Sequence, residues 1–184
     1  MMKHFGVTPY LVFDGDFLPS KAGEEASRAK RREKSREAGL ALLKAGKPSQ
    51  AHRELQKAID ITPEMARALI DELKKHDIPY VVAPYEADAQ LVYLESQGTI
   101  SGIVTEDSDL LVFGAKRLIT KLEQHGQCVE VNRRDFAACR EVSLTGWTDA
   151  QFRHMAIFSG CDYLEGIKAF GLKTAHRLIR QYKT

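Results

Sequence analysis

Apolar residues along this chain fall into two kinds of pattern. Short runs bounded by turn residues predict strands, and spaced apolar positions predict helices. Leu11-Val12-Phe13, closed by Asp14-Gly15, predicts a buried strand and a turn. Tyr80-Val81-Val82-Ala83, closed by Pro84, and Gly102-Ile103-Val104 predict two more. Leu118 to Lys121 and Cys128 to Val131 predict a further pair around Gly126. Helices are expected over Gln50–Ile61, over Met65–His76 with Thr62 as N-cap and Pro63 in first position, and over Glu86–Ser96. Further helices are expected over Arg133–Arg140, Asp149–Ser159 and Lys173–Tyr182, and Leu110–Phe113 reads as a short helix or extended turn. Strands alternating with helices predict an α/β fold around a central, mostly parallel sheet.

One stretch breaks this pattern. From Ser20, a prospective cap, to about Lys44 the chain is helical in propensity, yet it has no large apolar residue before Leu40. Between Lys21 and Lys34 stand six basic residues against three acidic ones. A helix without an apolar stripe is not a core helix; it is solvated or it binds an anion. Residues 51–63 also resemble part of a tetratricopeptide repeat, but no repeat period accompanies them.

Composition sets the outer limits. The 184 residues, 43% hydrophobic and 28% charged, suit a folded globular domain and exclude a collagenous or wholly disordered chain. There is no apolar run long enough for a membrane span and no signal-peptide pattern at the start. Cys128, Cys139 and Cys161 form no CxxC pair, which suits a reducing compartment and ordinary packing. The six histidines lack ligand spacing, and there is no GxGxxG, Walker lysine motif or GxSxG elbow.

The net charge of +2 matters less than its distribution. Asp14, Glu86, Asp88, Asp107 and Asp109 each stand just past a predicted strand, and Asp162 lies in a turn after a predicted helix. Singly, each has a plain structural explanation: turn former, helix-dipole acid, loop cap or Asx turn. Together they lie where open α/β sheets build their sites, beyond the carboxyl ends of strands. Clustered carboxylates repel one another unless a cation joins them, and hard oxygen donors suit Mg²⁺ or Mn²⁺. Two such ions roughly 4 Å apart suit phosphodiester hydrolysis. The basic helix then reads either as a solvated face laced with ion pairs or as a grip on phosphates.

Tyr85-Glu86-Ala87-Asp88-Ala89-Gln90, Thr105-Glu106-Asp107-Ser108-Asp109-Leu110 and Ser159-Gly160-Cys161-Asp162-Tyr163-Leu164 resemble the internal motifs of the flap endonuclease/XPG family of structure-specific 5′ nucleases. Leu11 to Gly15 and Leu18-Pro19-Ser20-Lys21 are similar to the family's N-terminal wording, and the likeness runs from about Gly6 onward. It implies a PIN-like 5′-nuclease core over 1–164, a helical arch over 20–75, and the start of a helix–two-turn–helix element over 165–184. It implies a 5′→3′ exonuclease and 5′-flap endonuclease acting in the nucleus in DNA repair.

By the same resemblance, Asp14, Glu86, Asp88, Asp107, Asp109 and Asp162 hold two Mg²⁺ or Mn²⁺ ions. Lys21 and Arg28 touch the scissile phosphate, while Arg31, Arg32, Lys168 and Lys173 join them in binding DNA. A K⁺ ion belongs to the helix–two-turn–helix, where Ala169 stands in place of the first glycine of the family's turn. The implied partners are double-stranded DNA with a 5′ end, nick, gap or flap, and mismatch-repair proteins; a monomer that binds no membrane is expected. The family's first strand and a further metal-binding aspartate are expected to be missing at the N-terminus. A DNA-binding remnant without catalysis, and a helical interaction module over 50–76, therefore stay open as alternatives.

Overall fold

The computed structural model describes residues 2–164 and 166–182. Glu165, Lys183 and Thr184, which belong to the expected helix–two-turn–helix segment, lie outside the described residues. After a 3-10 turn at Met2–Phe5, the elements are β1 (Leu11–Phe13), α1 (Ala22–Lys44), α2 (Pro48–Lys57), α3 (Pro63–Lys75), β2 (Tyr80–Val82), α4 (Ala87–Ser96), β3 (Ile103–Val104), α5 (Asp109–Phe113), β4 (Arg117–Thr120), β5 (Val129–Asn132), α6 (Asp149–Ser159) and α7 (Leu172–Tyr182). The chain divides into two compact units, one of residues 1–17 and 76–184, the other of residues 18–75.

The first unit is α/β. β1 and β2 pair in parallel, with Val12 beside Val81. β3 and β4 also pair in parallel, with Ile103 beside Leu118, and β5 closes an antiparallel hairpin on β4. Two of the three pairings are thus parallel, as the alternating pattern predicts. Among the described residues the strands form two separate sheets, ordered β1-β2 and β3-β4-β5. α4 packs against both β1 and β3 and so serves both sheets.

Two apolar clusters hold this unit. Ile103, Leu110, Ala115 and Leu118 join β3, α5 and β4, and Leu91, Val92 and Leu111 pack around them. Each large aliphatic side chain fully buried here contributes roughly 1.5–3 kcal/mol. The second cluster joins α6 to α7 through Leu144, Met155, Ala175 and Ile179. His176 is buried beside it, stacked on Trp147 at 4.6 Å with one ring nitrogen 2.8 Å from the Ser143 carbonyl oxygen. It is a packing histidine.

The second unit is helical, with α1 packed on α2. α1 and α2 cross closely at Gly39, the one buried residue of α1, which sits against Leu55 and Ala51. Pairing an almost wholly polar helix with a short amphipathic one needs such a close approach. In α3, Thr62 Oγ1 accepts from the Met65 amide at 3.3 Å, the expected cap, and Leu73 is the buried residue.

Several expectations need correction. Ser20 does not cap α1: it lies within a 3-10 turn, Pro19–Lys21, and the helix starts at Ala22 without a side-chain cap. The helix expected over Gln50–Ile61 starts at Pro48, whose fixed φ suits a first turn, and stops at Lys57. Ile59 and Ile61 beyond it are largely exposed. The strand at Tyr80 is only partly buried, with Val82 exposed and Ala83 just past it buried. Arg133–Ala138 is a 3-10 helix, since Asn132 accepts the Arg134 amide and fixes a tight first turn. Cys128 and Cys139 are exposed rather than packed.

Candidate metal and nucleic-acid site

The six acids predicted to bind metal all belong to the α/β unit. Asp14 leaves the end of β1, and its Oδ1 accepts the Ala87 backbone N–H at 2.7 Å. Ala87 is the first residue of α4, so this amide has no partner within the helix. Asp14, distant in sequence, supplies the cap that the adjacent Glu86 does not. A carboxylate also suits the positive end of a helix. The turn after β1 rests closely on the turn after β2: the Gly15 amide donates to the Tyr85 carbonyl at 2.6 Å and the Asp16 amide to that of Pro84 at 3.0 Å.

Glu86 is held from another direction. The Tyr163 hydroxyl donates to Glu86 Oε2 at 2.6 Å. This bond ties the turn carrying Asp162 to the start of α4. The segments bearing Asp14, Glu86 with Asp88, and Asp162 are thereby brought together.

Asp107 and Asp109 follow β3. The Asp107 amide donates to Thr105 Oγ1 at 3.1 Å, and Asp107 Oδ1 accepts the Asp109 amide at 2.8 Å. Asp107 thus shapes the entry to α5, and Asp109 is that helix's first residue. Glu106, between β3 and these acids, is engaged by β4. It accepts from the Thr120 hydroxyl and the Lys121 amide, each at 2.7 Å, and these bonds hold its carboxyl below the usual carboxylate range.

As a donor set these side chains fit a hard divalent cation, since every donor is a carboxylate oxygen. Their present conformations are less gathered: among the described residues no group of three or more Asp, Glu, His or Cys side chains is arranged to hold a metal ion.

The basic residues belong to the helical unit. Lys21 ends the 3-10 turn before α1. Arg28 Nε donates to Glu24 Oε1 at 3.2 Å, and Arg31 shares that oxygen. Arg32 reaches Asp60 Oδ2 at 3.1 Å. Arg28, Arg31 and Arg32 line a hollow of about 490 Å³ together with Lys34, Ser35, Lys57 and Ile59. The ion-pair reading of the charge run is therefore seen directly, and several of its cations converge on one concavity. Exposed pairs of this kind contribute about 0–1 kcal/mol each, so exchanging a carboxylate for a phosphate costs little.

In the α/β unit, Lys168 is exposed and Lys173 lies 3.6 Å from Glu141. Between them Ala169 adopts φ +63°, a left-handed conformation that its Cβ disfavours. Sequence reasoning missed Tyr163, although it sits inside a quoted motif. It also missed Lys57, because a hollow between helices leaves no mark on linear spacing, and it read Lys34 only as part of the basic run.

Comparison with known proteins finds two matching family regions. The XPG I-region matches residues 77–162, which include Glu86, Asp88, Asp107, Asp109 and Asp162. The XPG N-terminal domain matches residues 1–35, which include Asp14, Lys21, Arg28, Arg31 and Arg32. Exodeoxyribonuclease 1 of Schizosaccharomyces pombe is 48% identical over 99% of this chain and 32% of its own length. The DNA damage-inducible protein DIN7 of Saccharomyces cerevisiae is 46% identical over 99% of the chain and 43% of its own length. The chain thus spans less than half of these relatives.

Among solved structures, the catalytic core of Rad2 in complex with DNA substrate superposes with a TM-score of 0.71 at 24% identity, over 98% of this chain and 49% of that one. Flap endonuclease-1 from Methanococcus jannaschii gives 0.64 at 26% identity, over 96% and 55%. The chain therefore belongs to the XPG family.

Proposed function

We propose that this chain is the core of a divalent-metal-dependent 5′→3′ exonuclease and 5′-flap endonuclease that hydrolyses DNA phosphodiesters in repair. The observation that carries the reading is the pair of long-range hydrogen bonds, Ala87 to Asp14 and Tyr163 to Glu86, which draw acid-bearing segments from three parts of the chain together. Catalytic acids of separate motifs must meet in this way.

Asp14, Glu86, Asp88, Asp107, Asp109 and Asp162 are the residues that would hold two Mg²⁺ or Mn²⁺ ions. When bound, such ions lower the pKa of water and offset charge on the phosphate oxygens. Of this chain's own groups, Lys21 and Arg28 would bear on the scissile phosphate. Arg31 and Arg32 would neutralise neighbouring phosphates by exchanging their carboxylate partners. Lys168 and Lys173 would hold the duplex beyond the cut, and the turn between them would take K⁺ if the left-handed backbone at Ala169 is kept. In this reading residues 20–75 form the arch, 1–164 the nuclease core, and 165–184 the opening of a helix–two-turn–helix. A nuclear monomer with mismatch-repair partners completes it.

A second reading is a DNA-binding element without catalysis, supported by the basic residues that line one hollow of the helical unit. Purified protein with Mg²⁺ on a recessed duplex and on a 5′-flap separates the two. The expected result is cleavage abolished by chelation and reduced at least about 10³-fold by Asp107→Ala with Asp109→Ala. Salt-sensitive DNA binding with no cleavage overturns the enzyme reading and leaves the second.

A further inference from the structure

We propose that Tyr163 is a positioning residue for Glu86, and that its hydroxyl raises the affinity of the acidic site for divalent metal. This rests on the reading of Glu86 as a metal ligand. Tyr163 lies in the turn that follows α6, where Gly160 ends the helix at φ +116° and the Leu164 amide returns to the Cys161 carbonyl at 3.4 Å. The turn is pinned at both ends, so the phenol has a fixed origin. From there it reaches across 77 residues of sequence to a side chain on another element, at 2.6 Å and partly shielded from water.

A glutamate at a helix N-terminus has three side-chain torsions and many orientations, whose loss opposes ion binding when the side chain is fixed. A phenol that holds Oε2 meets part of that cost before any ion arrives. It engages one oxygen of a group with about four acceptor sites, so the bond itself leaves the carboxylate with acceptor capacity for an ion. Hydrogen-bonded partners of ligating carboxylates typically tune metal affinity by about 10–100-fold. Asp162 immediately precedes Tyr163, so the same bond sets the distance between two of the acids.

Tyr163→Phe keeps the ring and removes only the hydroxyl. The test is Mn²⁺ titration of the whole chain by electron paramagnetic resonance, with thermal melting in metal-free buffer alongside. The expected result is Mn²⁺ binding weakened about tenfold with melting unchanged, and a matching rise in the Mg²⁺ concentration that half-saturates cleavage. In a Glu86→Gln background, Tyr163→Phe should have no further effect. Unchanged or tighter Mn²⁺ binding, or effects of the two substitutions that simply add, overturns the proposal while leaving the metal site standing. A wild-type chain that binds no Mn²⁺ overturns the metal reading itself, and this proposal with it.

Discussion

The two units of this molecule place their charges by different means. In the helical unit most ion pairs are three or four residues apart: Arg28 with Glu24 and Glu25, Arg36 with Glu33, Lys57 with Glu54, Lys74 with Asp71 and Lys75 with Glu72. Helical periodicity alone makes these neighbours. In the α/β unit the carboxylates act across the chain: Asp14 on Ala87, Glu86 with Tyr163, Glu95 on Lys116 and Arg117, and Glu106 on Thr120 and Lys121. Only the tertiary fold makes those neighbours. The helical charges are exposed, weakly held and ready to exchange partners, whereas these acids are held by groups on distant elements, mostly backbone amides. Under the proposed function, a surface that accepts a long flexible anion and a site that holds small ions at fixed positions call for this difference.

Among the described residues, each unit has one glycine at which a Cβ would come within 3.0 Å of a neighbouring segment, and the pair tests the comparison directly. At Gly15 a Cβ would stand 1.8 Å from the Ala83 carbonyl oxygen and 2.8 Å from Pro84, both backbone. Nothing there gives way without parting the turns after β1 and β2, the turns that carry Asp14 and Glu86. Gly15→Ala is expected to cost about 3 kcal/mol, at the upper end of overpacking. Thermal denaturation should show a fall of roughly 6–12 °C, with Mn²⁺ affinity lost at temperatures where the protein is still folded. A variant that melts normally would show that the two turns are not rigidly apposed.

Gly39 is the counterpart in the helical unit. Its Cβ would meet Leu55 side-chain carbons at 2.7 and 2.8 Å and the Ala51 carbonyl oxygen at 3.3 Å. A leucine side chain can rotate, and alanine in a helix interior recovers up to about 1 kcal/mol over glycine. Gly39→Ala should therefore cost only about 1 kcal/mol or less in denaturant unfolding, with DNA affinity and its salt slope unchanged. A loss as large as that at Gly15 would mean that the helical unit is as tightly determined as the sheet region.

The same contrast decides what was legible in the sequence. The capping chemistry of α3 was plain in Thr62-Pro63, whereas the capping box of Thr148 with Gln151 on α6 went unread although both residues stand in the sequence. Apolar runs gave all five strands, because a pleat repeats every two residues. The division of the strands into two sheets was not legible, since pairing depends on which segments meet. Nor was Glu95, a buried carboxylate on α4 that accepts the Lys116 and Arg117 amides at 2.7 and 2.9 Å. In the linear pattern it is an ordinary helix-surface acid. The candidate acids stood out because they cluster just past strands, but the bonds that gather them join residues 73 and 77 positions apart. No periodicity encodes such separations.

Ala169 gives the smallest effect and marks where a local conflict was visible in the sequence itself. The left-handed backbone there costs a non-glycine residue roughly 1–2 kcal/mol, and Ala169 holds it at φ +63° while exposed to solvent. Ala169→Gly removes that strain but loosens the unfolded chain by about 0.4–1 kcal/mol. The two terms leave a net stabilisation of about 0.5 kcal/mol, or a rise of roughly 1–2 °C in melting temperature. Because the strain is local, the gain should appear in the melting of the α/β unit and leave Mn²⁺ affinity at the acids unchanged. A destabilised glycine variant would show that the turn between Lys168 and Lys173 is held by contacts of the Ala169 methyl group rather than by its backbone, and would move this turn from the locally determined features of the molecule to the tertiary ones.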